Sequence, residues 1–125
     1  MAMDNIKILI SDDSVLARKQ LKDILKESGC TEFVEATNGQ EAIDLYKEHK
    51  PNLVFLDIVM PVKDGITAVK EIIAFDSSAD IIIVSSVGTQ SQLKTAIMEG
   101  ARDFVQKPIL ASQIHDILST RFKGD

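Results

Sequence analysis

The feature of this sequence that most constrains its fold is a regular alternation of short apolar runs with segments of helical periodicity. Five runs have the β-branched, apolar composition of strands: residues 6–10, 33–36, 53–56, 81–84 and 103–105. Several are apolar almost throughout, which is typical of parallel strands covered on both faces. Between and after these runs, apolar residues recur at spacings of three, four or seven, as on the buried face of a helix. The element order is therefore predicted to be βαβαβαβαβα.

Strict alternation predicts an α/β fold, with helices on both faces of a doubly wound parallel sheet, because parallel neighbours need crossover connections. Gly29 and Gly100 stand where the first and fourth helices should end. Asn38 and Glu41 resemble a capping box at the start of the second helix. The apolar stripes predicted to face the core are Leu21, Ile24 and Leu25; Ala42, Leu45 and Tyr46; Ile66, Val69, Ile72 and Ile73; Leu93, Ala96 and Ile97; and Ile114, Ile117 and Leu118.

Length and composition narrow the class of protein. A chain of 125 residues fits one domain, so a single domain is predicted over residues 1–125. One cysteine excludes an internal disulfide framework, and two histidines make a Cys/His zinc site implausible. A net charge of −5 argues against nucleic acid as a direct ligand. No apolar run approaches the roughly 20 residues of a membrane span, and the N-terminus has no signal-peptide pattern. These features indicate a cytoplasmic protein with no membrane contact.

Polar residues follow four of the five predicted strands. They are Asp12 and Asp13 after the first strand, Asp57 after the third, Ser85 and Ser86 after the fourth, and Lys107, which precedes Pro108, after the fifth. Each residue alone has an ordinary explanation as a helix cap, a turn or a solvated side chain. The carboxyl ends of parallel strands, however, meet at one edge of the sheet, where ligands bind. Three clustered carboxylates repel one another unless a cation intervenes, and Mg²⁺ prefers such oxygen ligands.

This set of residue types suits phosphoryl transfer. An aspartate carboxylate can act as a nucleophile that forms an aspartyl phosphate. The transferred group then needs its oxygens neutralised, which Mg²⁺, the ammonium of Lys107, the hydroxyl of Ser85 and backbone N–H groups can do. Asp57 is the best candidate nucleophile because it stands alone at the end of a central apolar strand. The adjacent Asp12 and Asp13 are better suited to hold metal.

At these residues the chain resembles the receiver domains of two-component response regulators, most of all the stand-alone chemotaxis type. The resemblance covers residues 6–122 and rests on five segments in order: ILISDDS (8–14), ATNGQEA (36–42), LDIVMPVKDG (56–65), VSS (84–86) and GARDFVQKP (100–108). It implies the flavodoxin-like (βα)5 fold with strand order 2-1-3-4-5, which the alternation alone leaves open.

The resemblance also implies roles for particular residues. Asp57 would accept a phosphoryl group from a sensor histidine kinase. Asp13, Asp57 and the backbone carbonyl of Val59 would bind Mg²⁺, with Asp12 acting through water. Ser85 and Lys107 would contact the phosphoryl group, and the Lys107–Pro108 bond would be cis. The chain would catalyse only its own Mg²⁺-dependent phosphorylation and dephosphorylation, and so would not be an enzyme in the usual sense.

Output would pass through the face formed by the fourth helix, the fifth strand and the fifth helix, with Ser85 and Phe104 as switch residues. The implied partners are the kinase, a downstream effector protein such as a flagellar motor switch component, and a phosphatase; the chain itself would be a monomer. Candidate contact positions are Gln90, Lys94, Met98, Gln106, Gln113 and Asp116.

Some positions depart from the family pattern. Val59 and Val87 are apolar where many members are polar, which leaves the phosphoryl lifetime open. Leu110 replaces the usual cap of the last helix, which is therefore expected to begin at Ala111 or Ser112. Phe104 replaces a common tyrosine and has no hydroxyl.

The sequence disfavours several other functions. The six glycines stand at least ten residues apart, so no phosphate-binding glycine loop can be built. A flavodoxin is disfavoured by the acidic pair Asp12 and Asp13, and a dehalogenase-type phosphatase by the absence of an Asp-x-Asp motif at Asp57. The receiver interpretation leaves two alternatives open: a receiver excised from a larger response regulator, or an inert receiver-like docking module. Cys30, His49 and His115 receive no chemical role.

Overall fold

A computed structural model describes residues 5–86 and 90–122 as five strands alternating with five helices. The elements are β1 (Lys7–Ser11), α1 (Val15–Glu27), β2 (Glu32–Ala36), α2 (Gly39–His49), β3 (Leu53–Asp57), α3 (Gly65–Phe75), β4 (Ile81–Ser85), α4 (Gln90–Met98), β5 (Asp103–Gln106) and α5 (Ala111–Arg121). The predicted alternation is confirmed for every element.

The strands form one parallel sheet in the order β2-β1-β3-β4-β5. Both the fold class and the strand order implied by the resemblance are therefore confirmed. In the register of the sheet, Asp57 at the end of β3 lies opposite Val84, and Ser85 at the end of β4 lies opposite Gln106. This register brings the ends of the central strands, with their polar residues, to a common edge.

The sheet separates two apolar layers. Successive residues of a strand point to opposite faces, so in β4 Ile81 and Ile83 enter the layer under α2, α3 and α4, whereas Ile82 and Val84 enter the layer under α1 and α5. The residues of β3 are all buried, as the apolar run predicted. Burying one such side chain contributes about 1.5–3 kcal/mol, so both layers hold the central strands firmly in place beneath the polar edge.

Cys30, the one cysteine of the sequence, lies in the layer under α1 and α5 and is 1% exposed. Burial raises the pKa of its thiol. A buried thiol of raised pKa is poorly reactive, because the thiolate is the reactive form. This agrees with the expectation that Cys30 has no chemical role.

The helix ends follow the local sequence, with one difference at α2. The side chain of Asn38 accepts a hydrogen bond from the backbone N–H of Glu41 at 2.9 Å, as a cap should. The Glu41 carboxylate, however, accepts from the backbone N–H and the hydroxyl of Thr37, at 2.7 and 2.6 Å. The capping box is thus shifted by one residue, because Thr37 offers two donors. Gly29 and Gly100 end their helices with φ of 99° and 127°.

Two further expectations concern α4 and α5. Ile97 was predicted to face the core, but its side chain is 40% exposed, and that prediction is wrong. α4 covers the sheet near its β5 edge, where Ala96 alone among its residues is fully buried. α5 begins at Ala111, and Leu110 precedes it without a side-chain hydrogen bond to the helix, as expected. Within the described residues, no helix combines the length and the apolar character needed to cross a membrane.

Candidate functional site

Three carboxylates meet at the carboxyl edge of the sheet. Asp12 follows β1 directly, Asp13 comes next in the chain, and Asp57 ends β3. One carboxylate oxygen from each lies within 4.8 Å of the others. Asp12 and Asp57 are each 5% exposed, whereas Asp13 is open to solvent. The cluster predicted from the strand ends is therefore assembled, with two of its members buried.

Lys107 supplies the cation of this cluster. Its ammonium nitrogen lies 3.1 Å from Oδ2 of Asp12 and 3.1 Å from Oδ2 of Asp57. The backbone N–H of Lys107 donates to the carbonyl of Ser85 at 2.7 Å, which ties the lysine to the end of β4. The following peptide bond, Lys107–Pro108, is cis, as the resemblance implied.

Burial and charge act in opposition on these groups. Burial raises the pKa of Asp57, the charge of Asp12 raises it further, and Lys107 only partly opposes this. Burial acts to lower the pKa of Lys107, but its bonds to Asp12 and Asp57 outweigh that effect and raise it. The buried pair of carboxylates is thus under-neutralised by a single ammonium group.

The loop between β3 and α3, residues 58–64, surrounds Asp57. The backbone N–H of Val59 donates to Oδ1 of Asp57 at 3.3 Å. The loop closes where Gly65 N–H donates to the Ile58 carbonyl at 2.7 Å. The Val59 side chain is 60% exposed.

Ser85 and Phe104 lie at the β4–β5 side of the site. Ser85 is 4% exposed at the end of β4, while the Phe104 ring is 50% exposed. Beside them lies a cavity of about 220 Å³ lined by Ser85, Ser86, Gln90, Leu93, Phe104 and Gln106. Val87, the second apolar position expected to flank the site, lies outside the described residues.

The candidate output positions are all exposed: Gln90, Lys94, Met98, Gln106, Gln113 and Asp116. Met98 is 76% exposed, so it does not merely cover a neighbouring helix. The histidines lie elsewhere, with His49 at the end of α2 and His115 exposed on α5.

The donor set fits a hard divalent cation. All three acidic residues offer carboxylate oxygens, which are the ligands that Mg²⁺ prefers. Burial and then the charge of Asp12 raise the pKa of Asp57, and a bound cation would offset both effects. The residues present therefore fit Mg²⁺.

Sequence reasoning missed two residues that support the site. Nη1 of Arg18 donates to the backbone carbonyl of Asp12 at 2.7 Å, and its Nε pairs with Glu35 at 3.0 Å. Gly39 N–H donates to the carbonyl of Lys63 in the β3–α3 loop at 3.0 Å. Arg18 and Gly39 both donate to backbone carbonyls. Because every residue has a backbone carbonyl, the sequence does not show which residues accept these bonds.

Comparison with known proteins agrees with this geometry. Residues 8–119 match the response regulator receiver domain, and the chain belongs to that family. Among curated relatives, it is 46% identical to the chemotaxis protein CheY of Bacillus subtilis, over 90% of this chain and 94% of that protein. It is 44% identical to CheY of Thermotoga maritima over the same shares.

Solved structures give the same family and fold. A chain in the CheX-CheY-BeF3-Mg²⁺ complex of Borrelia burgdorferi superposes with a TM-score of 0.87 at 35% identity. The match covers 95% of this chain and 90% of that chain. The chain is thus a two-component receiver domain closely related to CheY. Receiver domains bind Mg²⁺ at an acidic pocket, which here corresponds to Asp12, Asp13 and Asp57.

Proposed function

We propose that this chain is a phosphorylation-dependent switch of a chemotaxis-type two-component phosphorelay, and that residues 1–125 form one receiver domain. In this proposal Asp57 accepts a phosphoryl group from a sensor histidine kinase in a Mg²⁺-dependent reaction. The observation that carries the proposal is the buried Asp57 carboxylate beside Asp12 and Asp13, with the Lys107 ammonium 3.1 Å from its Oδ2.

The chemistry assigns one task to each group. An Asp57 oxygen attacks the phosphorus of a phosphohistidine, the phosphorus–nitrogen bond breaks, and the imidazole leaves and takes its proton from water. Lys107 moves from the two carboxylates to an oxygen of the new acyl phosphate, and Ser85 donates its hydroxyl to another. Mg²⁺, when bound, supplies further neutralisation of the phosphoryl charge. Asp13, Asp57 and the Val59 carbonyl are the proposed direct ligands, with Asp12 acting through water.

The test of this chemistry is self-labelling by a small phosphodonor. With Mg²⁺, intact-mass spectrometry should show the addition of one phosphoryl group, lost on adding EDTA and in Asp57→Asn. Asp64→Asn is a suitable control, because Asp64 caps α3 and has no proposed part in the reaction. Full labelling of Asp57→Asn would contradict the assignment of Asp57 as the phosphoryl acceptor. An absence of labelling in the wild type would favour the inert docking module.

The proposed output uses Ser85 and Phe104. If Ser85 is drawn toward the phosphoryl group, the start of α4 follows, and the half-exposed Phe104 ring can turn into the cavity of about 220 Å³ beside it. The exposed face of α4, β5 and α5 would then change shape. A bias of a few kcal/mol between pre-existing states is enough for such a switch.

Beryllofluoride, a phosphoryl mimic, provides the test of the output. With Mg²⁺ it should shift backbone amide signals across residues 85–100 and 104–106 while leaving α2 unaffected. Ser85→Ala should remove the distal shifts and keep those at the site. Shifts confined to the loops at the site would contradict this route.

The proposed partners follow from the relatives. They are a histidine kinase as phosphodonor, an effector protein such as a flagellar motor switch component, and a phosphatase. The presence of CheX in the Borrelia burgdorferi complex supports a CheX-type partner for this chain. The exposed Met98 is the proposed apolar contact for the effector, and the chain itself is proposed to act as a monomer.

A further inference from the structure

The first residue of α2 lies unusually close to the β3–α3 loop. A Cβ atom added at Gly39 would lie 2.0 Å from the carbonyl oxygen of Lys63 and 2.7 Å from its carbonyl carbon. Both are backbone atoms, so no change of rotamer relieves the overlap. Gly39 is not among the residues with positive φ. Alanine would suit its backbone and would favour a helix more, so the glycine is required by close approach alone.

The loop has little freedom between Lys63 and Val59. Lys63 N–H donates to the carbonyl of Pro61 at 2.8 Å, and Val62 between them has a φ of 66°. This is a strained γ-turn with a β-branched residue in the left-handed region, and the proline ring fixes the φ of Pro61. On the other side, the hydroxyl of Ser11 donates to the sulfur of Met60 at 3.1 Å. A displacement of Lys63 therefore also displaces the residues that lead back to Val59, because the turn between them cannot change its shape freely.

A methyl group at Gly39 would move the loop and not the helix. α2 is anchored by the buried side chains of Ala42, Ile43 and Tyr46. The loop residues Pro61, Val62 and Asp64 are exposed. The outer part of the loop, residues 61–64, consequently has the space to move, whereas α2 has not.

We propose that Gly39 is a positioning residue for the metal-binding loop. Its close approach to Lys63 sets where the Val59 carbonyl stands relative to Asp57. Gly39 touches no reacting atom and acts only through Lys63. The inference rests on the proposed function, because Val59 is a Mg²⁺ ligand only in that proposal.

The first test is the Mg²⁺ dissociation constant of Gly39→Ala, measured by calorimetry. It should rise by about 10–100-fold, the usual cost of losing a group that orients a metal ligand. In the metal-free protein, amide signals should change at the start of α2 and in residues 57–65, with the circular dichroism spectrum retained.

Gly100→Ala is the matched control. Its φ is 127°, and an added Cβ would lie 2.8 Å from Cγ1 of Ile73, so alanine is strained there as well. Gly100 lies between α4 and β5, just before the amino end of β5. Asp57 lies at the carboxyl end of β3, so the two residues are at opposite ends of the parallel strands. Gly100→Ala should lower the melting temperature and leave the Mg²⁺ dissociation constant within about twofold of the wild type.

A Mg²⁺ titration of the wild type keeps the inference testable if Gly39→Ala does not fold. The Gly39 amide signal should move with the same midpoint as that of Val59. An unmoved Gly39 signal, or a Gly39→Ala protein that binds Mg²⁺ as tightly as the wild type, would overturn the inference and leave the proposed function intact. A wild type that binds no Mg²⁺ would instead contradict the proposed function.

Discussion

Asp57 is a carboxyl group whose surroundings disfavour its charge. It is 5% exposed, and burial followed by the charge of Asp12 raises its pKa. A carboxyl with a raised folded-state pKa stabilises the fold when protonated and loses that contribution as pH rises through the folded pKa. Ionising Asp57 in the metal-free protein therefore costs stability, and this cost grows as the pH rises above the ordinary pKa of an aspartate.

Asp57→Asn should consequently stabilise the metal-free protein at pH 7 by about 1–3 kcal/mol, the range for an incompletely compensated buried group. Lys107 keeps a partner in the variant, because its ammonium also lies 3.1 Å from Asp12. The gain should shrink as pH falls toward 3.8, the ordinary pKa of an aspartate, because protonation of Asp57 removes the charge whose burial is costly. Urea unfolding in EDTA at pH 7 and pH 4 measures it; an equal gain at both pH values would contradict the electrostatic cause.

Knowing which residue types follow each predicted strand was enough to predict which charged side chains form the site. Asp12, Asp13, Asp57 and Lys107 meet because parallel strands share one carboxyl edge, and that rule can be applied to a sequence. Arg18 could not be predicted in the same way, because it contacts the backbone carbonyl of Asp12, and every residue offers a carbonyl.

α5 begins without a side-chain cap. Leu110 stands at the cap position with extended backbone angles, φ −104° and ψ 137°, and its side chain is 54% exposed. α1, α2 and α3 instead begin with Ser14, Asn38 and Asp64, each of which accepts a hydrogen bond from the first turn. α5 therefore gains less from its own sequence than these three helices do.

Leu110→Ser should raise the free energy of unfolding by about 0.5–1 kcal/mol, because its hydroxyl can accept from the first turn of α5. Little hydrophobic stabilisation is lost by removing the leucine, because its side chain is already largely exposed. Asn38→Ala is the reverse control and should lower the free energy of unfolding by about 1 kcal/mol. Both are measured by urea unfolding, and a loss of stability in Leu110→Ser would show that the leucine contributes packing.

Element positions were predicted better than the burial of single helical residues. Periodicity marks the face of a helix that points to the sheet, but not how much neighbouring structure covers that face. Ile97 has core spacing with Leu93 and Ala96 yet stays 40% exposed, because α4 lies near the edge of the sheet. The strand order likewise could not come from alternation, since several right-handed orders satisfy the same crossovers.

The whole molecule joins two apolar layers through one sheet, and the acidic cluster lies at the edge where β1 and β3 end. A cation that binds only the folded cluster stabilises the entire chain by mass action. Metal binding should thus raise the free energy of unfolding of the whole chain.

Mg²⁺ at about 100 times its dissociation constant should add about 2.7 kcal/mol to the free energy of unfolding of the wild type. Asp13→Ala should lose this gain, while its stability without metal stays equal or rises because one charge of the cluster is gone. Asp116→Asn, which removes an exposed carboxylate on α5, should keep the gain. The measurement is thermal unfolding with Mg²⁺ or EDTA, and an equal Mg²⁺ gain in Asp13→Ala would remove that residue from the ligand set.

Cys30 carries the one thiol of the sequence, and this thiol can report how often the fold opens. An alkylating reagent can modify this sulfur only when the layer under α1 and α5 opens, because the side chain is 1% exposed in the closed state. With one cysteine in the sequence, every modified molecule records an opening at the same place, and no engineered reporter is required. The alkylation rate, measured by mass spectrometry with and without Mg²⁺, would thus give the frequency of opening of this layer. The layer lies on the face of the sheet opposite α2.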